Sequence, residues 1–280
     1  MSNPVPMPDD SLHSYDGAKL PSLQPKVQHS NTKPIKTEDG WMPMPKAYNC
    51  TPGLEYLTRI DTFLVSKKHD RDESKYTYLI KNNLDQKVYT AVEEYDECCM
   101  CCCSTTRPFD IRVFDSQKRD VINFYRPLGC QSCWLFCCLQ ILEVTASGTL
   151  CGFIEQSWSP FYTEFRICDA TGKTVLLIKG PPEPYVLNQF KVLSTDGKTE
   201  VGNVQSLLPN LVQGRLADAD HFSISFSMDL DVNIKAVLLA ALILIDCLYN
   251  RSEYSGSTYD LTTALLAADA IVHCLHMCFR

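Results

Sequence analysis

The sequence predicts a mainly β protein, an antiparallel sandwich or barrel, with one apolar helix near its carboxyl end. Three observations carry the prediction. Four stretches each read as strand, polar turn and strand: KYTYLIKNNLDQKVYTAVEE (75–94), FDIRVFDSQKRDVINFY (109–125), TEFRICDATGKTVLLIKG (163–180) and FKVLSTDGKTEVGNV (190–204). From His221 the chain alternates polar and apolar residues without a break, with Phe222, Ile224, Phe226, Met228, Leu230 and Val232 on one side. Directly after come ten consecutive apolar residues, 236–245.

Ahead of the hairpins, residues 1–47 are rich in Pro, Ser, Asn, Lys and Asp, with PVPMP near one end and MPMPK near the other. Such a stretch buries too little apolar surface to offset its ordering entropy, so a disordered, proline-containing arm is expected. Its proline clusters are a candidate docking segment for an SH3-type partner, against the plainer reading of a linker. The opening MSNPVPMPDDSLHS has neither the basic nor the apolar region of a signal peptide. Fifteen cysteines, many of them adjacent, are not spaced like a secreted disulfide framework, and a reducing, cytosolic compartment is expected.

The bulk of the chain has an ordinary globular balance, 45% hydrophobic and 21% charged residues over 280 positions. A formal net charge of −7 with no basic face argues against nucleic acid as a partner, because phosphate contacts need clustered cations. Each of the four hairpins carries Asp with Lys or Gln at its turn, between runs rich in β-branched and aromatic residues. Short strands at regular spacing with no amphipathic helix between them point to antiparallel pairing rather than to βαβ units.

The alternation from 221 has period two and reads as one strand reaching Val232, with Asp229 and Asp231 on its outward face. Residues 237–245 are apolar on every side, so a helix there needs nonpolar surroundings, which lipid and protein core both provide. Ten residues make about 15 Å of helix, against about 20 residues and ~30 Å for a bilayer. Extending the run to Tyr249 includes Asp246, whose placement in hydrocarbon costs roughly 3 kcal/mol. A helix over 234–249 running through a closed barrel satisfies the run, and the barrel domain is expected to cover 48–250. Beyond it, Ser257 with Asp260 three residues later precedes Leu261, Leu265, Ala268, Val272, Leu275 and Phe279 at helical spacing. The segment 251–280 is thus expected to be a helical tail, serving core packing, membrane contact or self-association into a homo-oligomer.

Several blocks resemble the phospholipid scramblase family: CTPGLEYLTRIDTFLV, VYTAVEEYDECCMCCC with RPFDIRVFD, RPLGCQSCWLFCCLQILEV, GFIEQSWSP and DADHFSISFSMDLDVNIKAVLL, in the family's order. The resemblance implies a twelve-stranded antiparallel closed barrel around a hydrophobic C-terminal helix, the tubby-like architecture. It implies calcium-stimulated, ATP-independent, bidirectional phospholipid scrambling between plasma-membrane leaflets, with the protein mostly on the cytoplasmic face. Members are commonly described as single-pass proteins with this helix as the span, which conflicts with the length of the apolar run. A lipid-tethered barrel that binds lipids or proteins and translocates nothing is the alternative.

The family's cysteine run is S-palmitoylated, and Cys133, Cys137 and Cys138 align with it, Trp134, Leu135 and Phe136 replacing its middle. Palmitate is therefore expected there, with Cys98, Cys99, Cys101, Cys102 and Cys103 as further candidates; buried strand thiols are the alternative. Zinc on the second group, completed by Cys130 and Cys133, and a terminal site at His273, Cys274, His276 and Cys278 are weaker readings. The family's twelve-residue calcium segment corresponds to 218–229, with carboxylates at Asp218, Asp220 and Asp229. The pair Asp218 and Asp220, or Asp229 with Asp231, is a candidate for weak calcium binding with help from another loop, against ordinary surface charge. The segment lacks the glycine and the bidentate glutamate of an EF-hand loop, and a continuous strand would hold Asp218 and Asp229 ~36 Å apart. A lysine-bearing import segment of the family corresponds to GNVQSLLPN, which has no lysine. No nucleophile elbow, phosphate loop or HExxH pattern occurs, and no bond-making activity is expected.

Overall fold

The computed structural model describes residues 39–46, 50–70, 75–94, 108–127, 139–159, 162–181, 190–207 and 220–249. A short 3-10 helix, Glu55–Arg59, leads into β1 (Thr62–Asp70), β2 (Lys75–Lys81), β3 (Lys87–Glu94), β4 (Phe109–Phe114), β5 (Asp120–Arg126) and β6 (Ile141–Ala146). Then follow β7 (Thr149–Ser157), β8 (Glu164–Asp169), β9 (Thr174–Lys179), β10 (Phe190–Ser194), β11 (Glu200–Leu207) and β12 (Asp220–Ser225), and finally helix α1 (Val232–Tyr249). Each strand pairs antiparallel with its neighbours in sequence, and β12 closes on β1 with Thr62 opposite Ser225 and Lys67 opposite Asp220. This is a closed twelve-stranded barrel, the architecture the resemblance implied.

The hairpins owe their register to side-chain acceptors at the turns. Asp115 Oδ1 accepts the amides of Gln117 at 2.8 Å and Arg119 at 2.9 Å, while Lys118 takes a positive φ of 60°. Asn82 and Asp169 repeat the arrangement, each accepting from the residues two and four further on. An Asx turn followed by one left-handed residue is the three-residue hairpin loop that suits the strands' twist. The β6–β7 reversal uses two left-handed residues instead, Ser147 and Gly148.

Alternation sends one face of every strand inward: Tyr76, Tyr78 and Ile80 from β2, Phe109, Ile111 and Val113 from β4, Leu142, Val144 and Ala146 from β6. The space they enclose is filled by α1, which is buried all round from Ile234 to Leu248. Leu239 is 0% exposed, and Leu242 and Ile243 are each 1% exposed. The apolar run is the plug of the barrel, and no helix among the described residues is long and apolar enough to cross a membrane. Wall and plug approach closely at Gly152 of β7, where an added Cβ would lie 2.2 Å from the Cys168 carbonyl oxygen and 3.2 Å from Val237 Cγ2.

Three boundaries differ from the sequence reading. The strand expected to reach Val232 ends at Ser225. There the Phe226 amide binds the Asp61 carbonyl, Leu230 closes a turn onto Ser227, and Asp231 Oδ1 takes the Asn233 amide at 2.8 Å. An aspartate that caps a helix start is a stronger local signal than continued alternation, because it satisfies an amide the first turn leaves orphaned. The helix therefore begins at Val232 rather than 234. Within the expected arm, Gly40 and Met42 bond to the backbone of Lys87, and Trp41 forms a parallel bridge there.

Because every strand reverses direction, the connections alternate between two rims. One rim holds the tight turns and the chain's entry into α1. At the far rim the connections contain residues 71–74, 95–107, 128–138, 160–161, 182–189 and 208–219, which lie outside the described residues. Helix α1 enters at the turn rim and its last turn reaches the far rim.

Candidate functional site

An apolar helix inside a barrel has no water with which to satisfy charge, so Lys235 and Asp246 must each find partners outside the helix. Lys235 Nζ donates to the carbonyls of Leu57 at 3.0 Å, Ile60 at 2.9 Å and Met228 at 2.7 Å. Those three acceptors match the three protons of an ammonium, and the Phe226 ring lies 5.6 Å away. Burial pulls the Lys235 pKa below its ordinary value against the opposing pull of Asp61, Asp229 and Asp231. This end of α1 is thereby fastened to the 3-10 helix and to the turn that follows β12.

At the far rim the partners are charged. Lys67 of β1 donates to Asp246 Oδ2 at 3.1 Å, and the Tyr76 ring lies 4.5 Å from the same ammonium. Burial lowers the Lys67 pKa, but the Asp246 carboxylate, with Cys247 and Glu93 behind it, outweighs that and leaves it raised. Glu93 of β3 is buried and accepts from the Tyr78 hydroxyl at 3.2 Å. Arg126, the largest fully buried side chain, donates from Nε to Gln140 Oε1 at 2.9 Å and from Nη1 to Cys247 Sγ at 3.5 Å, with its guanidinium over Phe109. Two cationic and two acidic side chains thus close this end of the barrel around the last turn of α1. Sequence reasoning missed the cluster. Asp246 was its one legible member, since a carboxylate within an apolar helix requires a cation, but only the barrel's closure shows that β1 supplies it.

The calcium candidates within the described residues lie at opposite rims. Asp220 opens β12 opposite Lys67, toward the far rim, whereas Asp229 and Asp231 lie at the turn rim, separated from it by the strand's length of about 17 Å. Asp229 and Asp231 are exposed, and one oxygen of Asp231 is taken by the Asn233 amide. Asp218 lies outside the described residues, and among those residues no group of three or more His, Cys, Asp or Glu could hold a metal ion. Asp220 therefore shares no site with Asp229 or Asp231. With the strand ending at Ser225, the ~36 Å separation argued from a continuous strand no longer applies to Asp229; the opposite rims keep Asp220 and Asp229 apart instead.

The lipidation candidates Cys133, Cys137, Cys138, Cys98, Cys99, Cys101, Cys102 and Cys103 lie outside the described residues, as do Cys130 and the group from His273 to Cys278. The strands flanking the two central clusters do show where the clusters are tethered. The first falls between β3 and β4 and the second between β5 and β6, so both connect strand ends at the far rim. The cysteines of the wall and helix are of another kind. Cys151, Cys168 and Cys247 are buried and unbridged, and burial pushes the Cys151 thiol up to about 11, which leaves it unreactive near neutral pH.

Comparison with known proteins places this architecture. The sequence profile described as Scramblase matches residues 42–252, from the strand-bound segment at Met42 to just past the end of α1. The chain is 39% identical over 224 residues to "Phospholipid scramblase 2" of Bos taurus, covering 76% of each protein. It is 37% identical over 226 residues to "Phospholipid scramblase 1" of Homo sapiens, covering 77% of this chain and 71% of that one. It is 34% identical over 229 residues to "Phospholipid scramblase family member 5" of Homo sapiens, covering 77% and 84%. Among solved structures, a protein from Arabidopsis thaliana aligns over 68% of this chain at a TM-score of 0.37 and 10% identity, too distant to add to the argument. The profile and the relatives together span the whole barrel and its plug, and the chain belongs to the Scramblase family.

Proposed function

We propose that this protein moves phospholipids between the two leaflets of a membrane, acting as a lipid translocator and not as a bond-making enzyme. The observation that carries the reading is the family match over the complete barrel, with relatives named phospholipid scramblases at 34–39% identity. Bidirectional exchange without ATP, stimulated by calcium, at the cytoplasmic face of the plasma membrane completes the proposal.

Attachment follows from the plug. Since α1 is enclosed by strands, the apolar run is not available to lipid, and the proposed anchors are thioester-linked acyl chains on Cys133, Cys137 and Cys138. The cluster Cys98–Cys103 supplies further sites tethered to the same rim. Each buried methylene contributes about 0.8 kcal/mol, and two chains suffice for stable anchoring.

One observation favours a second reading, a lipid-tethered binding barrel without transport: the interior through which a headgroup would pass is occupied by α1. Reconstitution decides. Purified protein in liposomes with a leaflet-specific fluorescent phospholipid is expected to exchange the label, faster with calcium and without ATP. Exchange no faster than in protein-free liposomes, at every calcium concentration, would leave only the binding barrel.

A further inference from the structure

Four of the large apolar side chains that the barrel leaves exposed fall at the ends of four adjacent strands at one rim. Tyr125 is the penultimate residue of β5 and 49% exposed, and Ile141 is the first residue of β6 and 52% exposed. Trp158, 43% exposed, directly follows β7, and Tyr162, 39% exposed, lies two residues before β8. With strands ~4.8 Å apart, they form an arc of about 14 Å, within two residues, or ~7 Å, of the far rim.

Charge is interleaved with the arc on the outer surface: Glu143 faces solvent level with Tyr125 on the neighbouring strand, Glu155 lies level with Ile141 and pairs with Arg166 at 2.6 Å, and Lys179 pairs with Glu164 at 3.2 Å with its ammonium over the Tyr162 ring. An amphipathic edge in which aromatic and apolar side chains alternate with charged ones is the profile of a surface seated at the headgroup level of a bilayer, where Trp and Tyr rings are favoured. The turn rim exposes only scattered members of the class, such as Leu84 and Met228, and single exposed apolar residues are ordinary.

We infer that Tyr125, Ile141, Trp158 and Tyr162 are the footing by which the barrel stands on a lipid bilayer, far rim down, with the axis of α1 directed at the membrane. The occupant is a bilayer and not a partner protein because of where the remaining chain attaches. The eleven residues 128–138, with four cysteines, join β5 to β6 inside the arc itself, and the segment carrying Cys98–Cys103 joins β3 to β4 next to it. The contact is apolar, so it withstands salt, in contrast to adhesion by charge, for which a chain of net charge −7 is poorly suited. The inference rests on the membrane reading proposed above and adds orientation and residues to it.

Tryptophan supplies the test, because the chain has three, one at each rim and Trp134. Full-length protein bearing W41F and W134F keeps Trp158; W134F with W158F keeps Trp41, which is bridged to Lys87 at the turn rim. Both are bound to phosphatidylcholine vesicles brominated at a shallow acyl position. Trp158 fluorescence is expected to fall at least twofold, unchanged by 0.5 M salt, while Trp41 is quenched no more than in solution. Equal quenching of the two, no quenching of Trp158 in vesicle-bound protein, or no binding to vesicles would overturn the inference. So would Trp158 changes that depend on protein concentration and not on lipid, which would mark the arc as a contact between copies. A variant with Ser at all four positions guards against misfolding: with unchanged circular dichroism and melting, its vesicle partitioning is expected to drop about tenfold or more, and unchanged partitioning contradicts the footing. Lipid exchange on the same vesicles separates the two proposals, since Trp158 insertion without exchange removes transport and leaves the footing.

Discussion

Lys67 of β1 and Asp246 of α1 meet at 3.1 Å with side chains only 11% and 2% exposed, so wall and plug are joined by charge as well as by apolar packing. Removing one member leaves the other buried and uncompensated. Asp246→Ala is expected to destabilise the protein by about 3–5 kcal/mol. The double change Lys67→Met with Asp246→Leu should recover most of that loss, because an apolar pair needs no solvation. Urea unfolding measures both, and equal losses in the single and double variants would refute the pairing.

At the opposite end, Lys235→Met deletes a donor shared by three carbonyls. Leaving them unsatisfied is expected to cost about 3 kcal/mol in total. Lys235→Arg should not rescue it, since a planar guanidinium cannot meet the carbonyls of Leu57, Ile60 and Met228 as a compact ammonium does. Thermal unfolding of the two variants checks the difference.

Packing between wall and plug gives a third expectation. Leu242→Ala leaves a cavity with no lipid to fill it and should destabilise the protein by about 2–5 kcal/mol in aqueous buffer. Gly152→Ala places a methyl group against the Cys168 carbonyl, and this variant is expected to fail to accumulate as folded protein. Wild-type stability of Leu242→Ala would mean that Leu242 is not enclosed by the barrel, and wild-type stability of Gly152→Ala that β7 and β8 do not pack this closely.

Acid should act on the β10–β11 turn. Hydrogen bonds from the Thr199 hydroxyl and from the Lys198 and Thr199 amides lower the Asp196 carboxyl to about 2 from an ordinary 3.8. A depressed folded pKa means that the stabilisation is complete above about 3.8 and is lost as the pH falls through about 2. Asp196→Asn is therefore expected to show a flatter decline in melting temperature between pH 4 and pH 2 than the parent, and identical slopes would contradict the assignment.

Much of the barrel was legible because hairpins are local. The turn chemistry of Asn82, Asp115, Asp169 and Asp196 lies within a few residues of each acceptor, and four of the reversals were read from Asp with Lys or Gln at the turn, which in the first pointed to Asp85 where the acceptor is Asn82. The β6–β7 hairpin was not, although Ser147 and Gly148 form a standard two-residue turn; β6 and β7 entered only as quoted blocks of family likeness. The end of β12 was misplaced because alternation runs on through residues that in fact turn and cap a helix. The buried cluster was illegible for a different reason. Lys67, Glu93, Arg126 and Asp246 are scattered over 180 positions and meet only when β12 closes on β1 and α1 threads the interior. The far-rim arc is likewise a property of register: Tyr125, Ile141, Trp158 and Tyr162 become neighbours through strand pairing, and singly each looks like an ordinary surface residue.

Everything about attachment and orientation depends on α1 being enclosed by strands. Amide hydrogen exchange on residues 236–246, in aqueous buffer without lipid or detergent, tests this most directly. Protection equal to that of the barrel strands, lost in the same urea transition, is the expected result. Fast exchange of these amides beside a protected barrel, or protection that arises only when vesicles are added, would show that the helix belongs to the membrane and not to the barrel.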